Sequence, residues 1–307
     1  MQPFALILSS IFLYCYIILS SIEFGASVFN IYPELLGDHS KLNEYLSPVW
    51  ETTNVFLVFF IVGIFTFFPG SVIYYGTNLM PLLFTALVFA VLRVVCMLLV
   101  FYGEIQNQYI NLLFVISRFF FPLILCGFYF YCLTGQLAII PESFLGLALW
   151  LFAIAVILLI SATFFQYYSG VNLKKYIEKL AILFTLALAV LITALANSAP
   201  YLFANGYQNL LAGLVLLISA AGFIWIFYKQ KFLHLFLSVC SIIGTIFFSL
   251  ISLHLPYLIY PNVTVYSAFT DPAVFKIMMW CLPFGLIVVA PALFLLYSLF
   301  GSKQSHN

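Results

Sequence analysis

Charged side chains are scarce in this chain. Only 6% of its 307 residues are charged, ten basic and nine acidic, which gives a formal net charge of +1. A soluble domain carries about 25% charged residues, so this chain lacks the polar surface that contact with water requires. The basic residues cluster only at Lys174, Lys175 and Lys179, which gives no reason to expect nucleic acid as a partner. The composition excludes a soluble fold and indicates an integral membrane protein.

Patterns for binding a metal or a haem are also missing. The six cysteines lie inside apolar runs without a CxxC spacing, and we expect them to be small buried hydrophobic residues. His234 and His254 lie at opposite ends of one predicted helix, about 30 Å apart at helical rise, so they cannot ligate the same haem or metal. We expect all four histidines at a surface or a membrane interface. No haem-ligand pair and no metal site are predicted.

Apolar residues make up 65% of the chain, and its mean hydropathy is +1.19. A helix needs about 20 apolar residues to cross a bilayer. Proline, glycine, asparagine and charged residues divide the chain into nine such runs. The predicted fold is an all-α integral membrane protein with one polytopic domain over 1–307. Its spans are predicted at 4–28, 50–68, 79–101, 110–133, 143–166, 177–198, 209–228, 233–254 and 274–300.

The basic residues predict the orientation of the spans. The N-terminus has no basic segment and no small-residue cleavage motif, so we interpret it as a retained first helix. With the N-terminus outside, seven lysines face the cytoplasm and only Lys276 faces the other side. Cytoplasmic loops carry an excess of basic residues, so this pattern predicts an outer N-terminus and a cytoplasmic C-terminus. The seven lysines are Lys41, Lys174, Lys175, Lys179, Lys229, Lys231 and Lys303.

Four charged residues lie within or at the ends of the predicted spans: Glu23, Glu51, Arg93 and Arg118. All four fall in the cytoplasmic half of the membrane under this topology. Charges in a bilayer are costly, so they usually pair with one another or serve a pathway. For Glu51 alone, a favourable position in the first turn of the second helix, beside an interfacial Trp50, is an equal alternative. The four charges in one layer favour a functional polar site.

Several motifs resemble the signature of subunit II of bacterial cytochrome bd quinol oxidase. The main one runs from Leu36-Gly37 through Pro48-Val-Trp50-Glu51 and Asn54 to Phe68-Pro69. That family usually has Asp where this chain has Glu51, and a longer acidic motif where this chain has Glu23-Phe-Gly25. Further similarities are Arg93, Phe121-Pro122, and the segment from Pro256 to Trp280. The resemblance reaches both ends of the chain and is weaker in the middle.

The resemblance implies a subunit of an aerobic respiratory oxidase in the bacterial cell membrane. Haem b, haem d and the quinol-oxidising site are then expected in a partner, subunit I, and no catalytic residue is expected in this chain. Subunit II can hold a structural quinone or lipid, and a small third subunit can attach to such complexes. The resemblance also implies a proton pathway from the cytoplasm, with Glu51 and Glu23 as its carboxylates. Trp50, Asn54, Arg93 and Arg118 are then structural or charge partners.

Two other classes of protein fit the composition. A secondary transporter for ions or small solutes is expected to show broken helices at mid-membrane and inverted repeats, and neither pattern is evident in the sequence. A membrane scaffold or assembly protein without chemistry of its own is the other alternative.

Overall fold

The structure is a computed structural model of the chain. Backbone is described for residues 1–30, 39–101, 108–137, 143–169, 172–204 and 232–301, and for the single positions 206, 213, 217 and 224. Side chains are described for 1–25, 53–99, 108–110, 112–137, 143–168, 172–204, 232–285, 287 and 291, and for the same four single positions.

Long apolar helices dominate the described residues. They are α1 (Gln2–Asn30), α2 (His39–Phe67), α3 (Val72–Asn78), α4 (Met80–Phe101), α5 (Gln108–Thr134), α6 (Phe144–Ser169), α7 (Lys174–Ser198), α8 (Phe232–His254) and α9 (Pro272–Gly301). Short 3-10 helices follow α2 at Pro69–Ser71 and α7 at Pro200–Phe203. Helices are the expected solution because every backbone polar group in a bilayer must find its partner inside the protein.

Six helices in the described part of the chain are long and apolar enough to cross a membrane. A seventh crossing is counted if Thr53–Phe67 and Pro69–Asn78 form one bent span. The protein is therefore a mostly helical, multi-pass membrane protein. The predicted run at 209–228 lies almost entirely outside the described residues, and the run at 274–300 corresponds to α9. The total of nine spans and the side on which each terminus lies stay predictions.

The chain turns by 93° between α2 and the segment Pro69–Asn78. Pro69 has no N–H with which to continue the α2 hydrogen-bond ladder, so the helix ends at this point. The turn is completed by a distant part of the chain. The N–H of Thr270 donates to the Phe67 carbonyl (2.9 Å), and the N–H of Gly70 donates to the Ala268 carbonyl (3.1 Å). A Cβ at Gly70 would lie 2.9 Å from the Ala268 Cα, so glycine is needed for this close approach.

A small β-hairpin precedes α9. Its strands, Tyr257–Ile259 (β1) and Val263–Thr264 (β2), pair antiparallel. The hairpin contacts α5, where the N–H of Tyr260 donates to the Cys132 carbonyl (2.9 Å). The end of the bundle that carries this hairpin is called the hairpin end below. The sequence predicted a wholly helical fold in which 255–273 only connects two spans, so the hairpin is a small correction to that fold.

Helix α1 lies at the centre of the packing. It contacts α2, α5, α6 and α8, while α4 packs on α5 and α6 packs on α7. The approach of α1 to α6 is very close, because a Cβ at Gly25 would lie 1.7 Å from the Ser161 Oγ and 2.2 Å from the Ser161 Cβ. The Ser161 hydroxyl also donates to the Ser21 carbonyl of α1 (2.6 Å). This contact fixes the position of the turn of α1 that carries Glu23.

Candidate functional site: a buried charged cluster

Glu23 of α1 is fully buried and lies between two arginines from different helices. Its Oε1 is 3.4 Å from Nη1 of Arg93 in α4 and 3.9 Å from Nε of Arg118 in α5. Both arginines are also buried, with 2% and 3% of their surface exposed. A charged group without a partner is very costly in such a place, so the three side chains stabilise one another.

Asn54 of α2 adds a polar contact to this group. The Nη2 of Arg93 donates to the Oδ1 of Asn54 at 3.1 Å. Asn54 lies thirteen residues before Phe67, where α2 reaches the hairpin end, and Arg93 lies thirteen residues after Met80, where α4 leaves it. The two side chains therefore meet at the same depth. We refer to Glu23, Asn54, Arg93 and Arg118 as the charged cluster.

Aromatic rings enclose the two guanidinium groups. The Cζ of Arg93 lies 5.5 Å from the ring centroid of Phe24 and 5.3 Å from that of Phe121, and the Cζ of Arg118 lies 3.8 Å from that of Phe114. Such cation–π contacts stabilise a desolvated cation by up to about 2 kcal/mol. The rings therefore compensate part of the cost of burying two positive charges beside one carboxylate.

The sequence of α5 also shapes the cluster locally. Pro122 lies inside this helix, four residues after Arg118. Proline has no N–H, so position 122 donates no helical hydrogen bond to the Arg118 carbonyl. The backbone of α5 is thus less regular at the level where its buried arginine faces Glu23.

The pairing within the charged cluster is loose. Neither carboxylate oxygen of Glu23 has a hydrogen-bond partner among the described residues, and the same holds for Nε and Nη1 of Arg93. Separations of 3.4 and 3.9 Å bring opposite charges together without forming a direct hydrogen bond. Buried polar atoms nearly always have a partner, and ordered water fills that role where no protein group does. The geometry leaves Glu23 able to exchange hydrogen-bond partners.

The structure brings four of the six predicted site residues together in this cluster. The side chains of the other two, Trp50 and Glu51, lie outside the described residues. The backbone position of Glu51 corrects one expectation, because α2 begins at His39 and not near residue 50. Residue 51 is therefore twelve positions into α2, so its charge does not occupy the first turn of the helix. The alternative interpretation of Glu51, as a favourable charge at the helix start, is wrong.

Three residues near the cluster were not among the predicted site residues, although Phe24 and Phe121 lie within the motifs that resemble the family. Phe24 and Phe121 contact Arg93 through their rings, and Tyr16 has a buried hydroxyl with no described hydrogen-bond partner. A signal was present for Tyr16, which precedes Glu23 by seven residues and so lies on the same face of α1. Abundant Phe and Tyr, 56 residues in total, hid that signal.

A second polar group, partly buried, lies at the hairpin end. The Tyr201 hydroxyl is 3.0 Å from Nδ1 of His254 and donates to the Leu133 carbonyl at 3.1 Å, and the Tyr201 ring stacks on Tyr260 with centroids 3.9 Å apart. Burial raises the pKa of Tyr201, so its hydroxyl keeps its proton at neutral pH. The Nε2 of His254 lies 3.4 Å from the Leu258 carbonyl, and the tautomer of His254 decides which group donates between its Nδ1 and the Tyr201 hydroxyl. We call Tyr201, His254 and Tyr260 the tyrosine–histidine cluster.

His254 and the cysteines correct two further expectations. Only 8% of His254 is exposed, so the prediction of a surface or interfacial position is wrong for this histidine. The six cysteines are all free thiols, but only Cys96 and Cys132 are buried, and Cys281 is exposed. Within the described ranges, no group of three His, Cys, Asp or Glu side chains is arranged to hold a metal ion.

Comparison with known proteins identifies the family. The family model for cytochrome bd terminal oxidase subunit II matches residues 1–300. A curated chain of Bacillus subtilis (strain 168), named as a cytochrome bd menaquinol oxidase subunit II, is 27% identical over 94% of this chain and 92% of its own length. The solved structure of the bd oxidase from Geobacillus thermodenitrificans matches with a TM-score of 0.84 and 28% identity, over 97% of this chain and 98% of that one. The chain therefore belongs to the cytochrome bd terminal oxidase subunit II family: it is one subunit of an oxidoreductase complex, and its partner is subunit I.

Proposed function

We propose that this chain supplies protons to a quinol:oxygen oxidoreductase of the aerobic respiratory chain, through the carboxyl groups of Glu51 and Glu23. The observation that carries the proposal is the loose pairing of Glu23 between Arg93 and Arg118. Oxygen reduction consumes protons, and these must cross the apolar half of the membrane to reach a buried reaction centre.

The two arginines hold Glu23 by charge and not by direct hydrogen bonds. A carboxylate held by two short, bidentate hydrogen bonds would keep its charge and would not exchange protons. Because both described ion-pair distances exceed hydrogen-bond length, the Glu23 oxygens remain available to water that brings or removes a proton.

Glu51 is proposed as the carboxylate on the cytoplasmic side of Glu23. It precedes Asn54 by three residues in α2, which is about one helical turn, and Asn54 contacts Arg93. The predicted orientation places that turn nearer the cytoplasm. Protons would then move from the cytoplasm to Glu51, and through water to Glu23.

The test measures quinol-dependent oxygen uptake by the assembled complex, normalised to haem content. Glu23→Gln and Glu51→Gln keep side-chain size but cannot ionise, and each should slow turnover by about a hundredfold or more, as expected for a lost proton-transfer group. Glu51→Asp restores an acid and should turn over near the parent rate. Glu178→Gln, an exposed carboxylate in α7, is the matched control. Parental turnover in either Gln variant with intact haem content would overturn the proposal.

We propose the haem-bearing chemistry for the partner, subunit I, where haem b and haem d would oxidise quinol and reduce oxygen. The described histidines of this chain do not fit a haem, since His234 and His254 lie near opposite ends of α8. The purified complex should show haem b and d bands in a reduced-minus-oxidised spectrum, and this subunit expressed alone should show none. A colourless complex would instead favour the transporter or scaffold alternatives. Because the Bacillus subtilis relative is named for menaquinol, we propose menaquinol as the donor, tested by oxygen uptake with menaquinol and ubiquinol analogues.

An apolar groove lined by α6, α7 and α8, and by Gly213, Leu217 and Ile224, supports the proposal that the subunit also holds a quinone tail or lipid chain. The groove has a volume of about 610 Å³, and Thr185 is the only polar side chain among its described lining residues. Such a lining suits a hydrocarbon chain and offers nothing to a polar head group. Ala181→Trp should fill the groove and reduce the quinone or phospholipid that co-purifies, as measured by mass spectrometry. Unchanged co-purification of both would contradict this role.

A further inference from the structure

Tyr16 has the features of a group that handles protons but is absent from the pathway proposed above. Only 3% of Tyr16 is exposed, and its hydroxyl has no hydrogen-bond partner among the described residues. A buried hydroxyl without a partner destabilises the folded protein, so its presence requires an explanation. Phenylalanine occupies 36 positions of this chain and would fill the same volume without that cost.

The position of Tyr16 connects it to the charged cluster. Tyr16 lies seven residues before Glu23 in α1, so the two side chains share a face and are separated by about 10 Å along the helix axis. Tyr16 also packs in the same hydrophobic core as Phe24 and Phe121, the two rings that flank Arg93.

Several polar atoms of Tyr16, Glu23 and Arg93 have no hydrogen-bond partner among the described residues. They are the Tyr16 hydroxyl, both Glu23 carboxylate oxygens, and Nε and Nη1 of Arg93. Together they provide donors and acceptors, which is the combination that internal water molecules bind. Roughly two or three hydrogen-bonded waters would be enough to cover the distance between Glu23 and Tyr16.

We propose that the Tyr16 hydroxyl is the next proton-relay group after Glu23, connected to it through internal water and leading toward the N-terminal end of α1. In the relay step, the hydroxyl oxygen accepts a proton from the water on the Glu23 side. Its own proton passes to a water on the opposite side, so Tyr16 is neutral before and after the step. The inference rests on the proposed role of Glu23 and extends that pathway by about two helical turns.

Tyr14 offers a matched control on the same helix. Its hydroxyl donates to the Cys240 carbonyl of α8 at 2.6 Å, so its hydrogen-bonding role is structural and directed to another face of α1. Tyr14→Phe and Tyr16→Phe each remove one buried or half-buried hydroxyl and leave the ring in place. Only the second removes a group beside the charged cluster.

The experiment compares Tyr16→Phe, Tyr14→Phe and Glu23→Gln in the assembled complex, at equal haem content. Tyr16→Phe should lower oxygen uptake by roughly threefold to tenfold, less than loss of a direct proton-transfer group, and should change the solvent deuterium isotope effect on turnover. The infrared carboxyl band that disappears in Glu23→Gln should shift in Tyr16→Phe, because its water network is altered. Tyr14→Phe should change none of these three properties.

Two failures are distinguishable. If Glu23→Gln slows turnover while Tyr16→Phe matches the parent, the relay role of Tyr16 is overturned and the proposed function stands. The relay role is also overturned if Tyr16→Phe slows turnover without moving the isotope effect or the carboxyl band, since that result indicates a packing role. If Glu23→Gln turns over at the parental rate, the proposed function falls, and the Tyr16 relay falls with it.

Discussion

The charged cluster and the tyrosine–histidine cluster are both polar groups in a mostly apolar chain, but they are built differently. At the hairpin end, the Tyr201 hydroxyl and His254 Nδ1 satisfy each other, and the backbone of Leu133 completes the set. In the charged cluster, opposite charges lie 3.4 and 3.9 Å apart and several polar atoms have no direct partner among the described residues. Satisfied networks rigidify a fold, whereas incompletely satisfied ones leave groups able to change partners.

The two clusters therefore differ in how much they can contribute to the stability of the fold. The tyrosine–histidine cluster ties α7, α8, α5 and the hairpin together through neutral groups. The charged cluster brings α1, α2, α4 and α5 together, but its loose contacts are a weak way to hold helices in place. Replacing buried ion pairs with apolar groups is often neutral or stabilising in other proteins, so stability alone does not account for three buried charges. The proposed proton exchange at Glu23 would account for these charges.

The largest effect is expected when one charge of the cluster is removed alone. Arg93→Met should destabilise the assembled complex by about 3–5 kcal/mol, because it removes the nearer counter-ion of Glu23 and the donor to Asn54. The double variant Arg93→Met with Glu23→Gln should recover part of that loss. Thermal unfolding of the purified complex, run as a double-mutant cycle, measures the coupling. Simple additivity of the two single losses would show that the pair is not coupled.

A smaller effect is expected at the helix contact that positions Glu23. Gly25→Ala places a Cβ within 1.7 Å of the Ser161 Oγ, so α1 and α6 must separate, at a cost of about 2–3 kcal/mol. The pair Gly25→Ala with Ser161→Gly removes the clash and should restore most of the lost stability. Gly76→Ala is the control, since no atom lies within 4 Å of a Cβ there. Equal melting temperatures for Gly25→Ala and Gly76→Ala would mean that the close contact does not hold Glu23 in place.

The smallest effect is expected in the tyrosine–histidine cluster. Tyr201→Phe keeps the stacking on Tyr260 but removes the hydroxyl shared by His254 and Leu133, which should cost about 1–2 kcal/mol. Oxygen uptake per haem should stay at the parental level, because this region holds the fold and moves no protons. The two readouts are the melting temperature and the turnover of the same preparation. Slower turnover with an unchanged melting temperature would reverse the roles assigned to the two regions.

The sequence predicted the features that are encoded within single helices, namely the spans and the charged residues in them. Apolar runs located the spans at α1, α2 and α4 to α8, and charges within those runs singled out Glu23, Arg93 and Arg118. What depends on packing between helices was not predictable. The order of contacts around Glu23 follows from the Gly25–Ser161 approach, and the burial of His254 follows from Tyr201 and the hairpin. Phe68-Pro69 predicted the end of a span, but not a 93° turn completed by residues some two hundred positions later.

That turn has a consequence for how the protein is made. The Phe67 carbonyl at the end of α2 accepts from the N–H of Thr270, and the N–H of Gly70 donates to Ala268. Membrane helices leave the ribosome in chain order, at about 5–20 residues per second, so α2 is complete roughly ten to forty seconds before these partners exist. The second crossing therefore reaches its final hydrogen bonding only when the segment before the last helix has been synthesised. The two ends of the chain mature together, and a protein shortened before residue 268 would retain an unfinished α2 however much of its middle had folded.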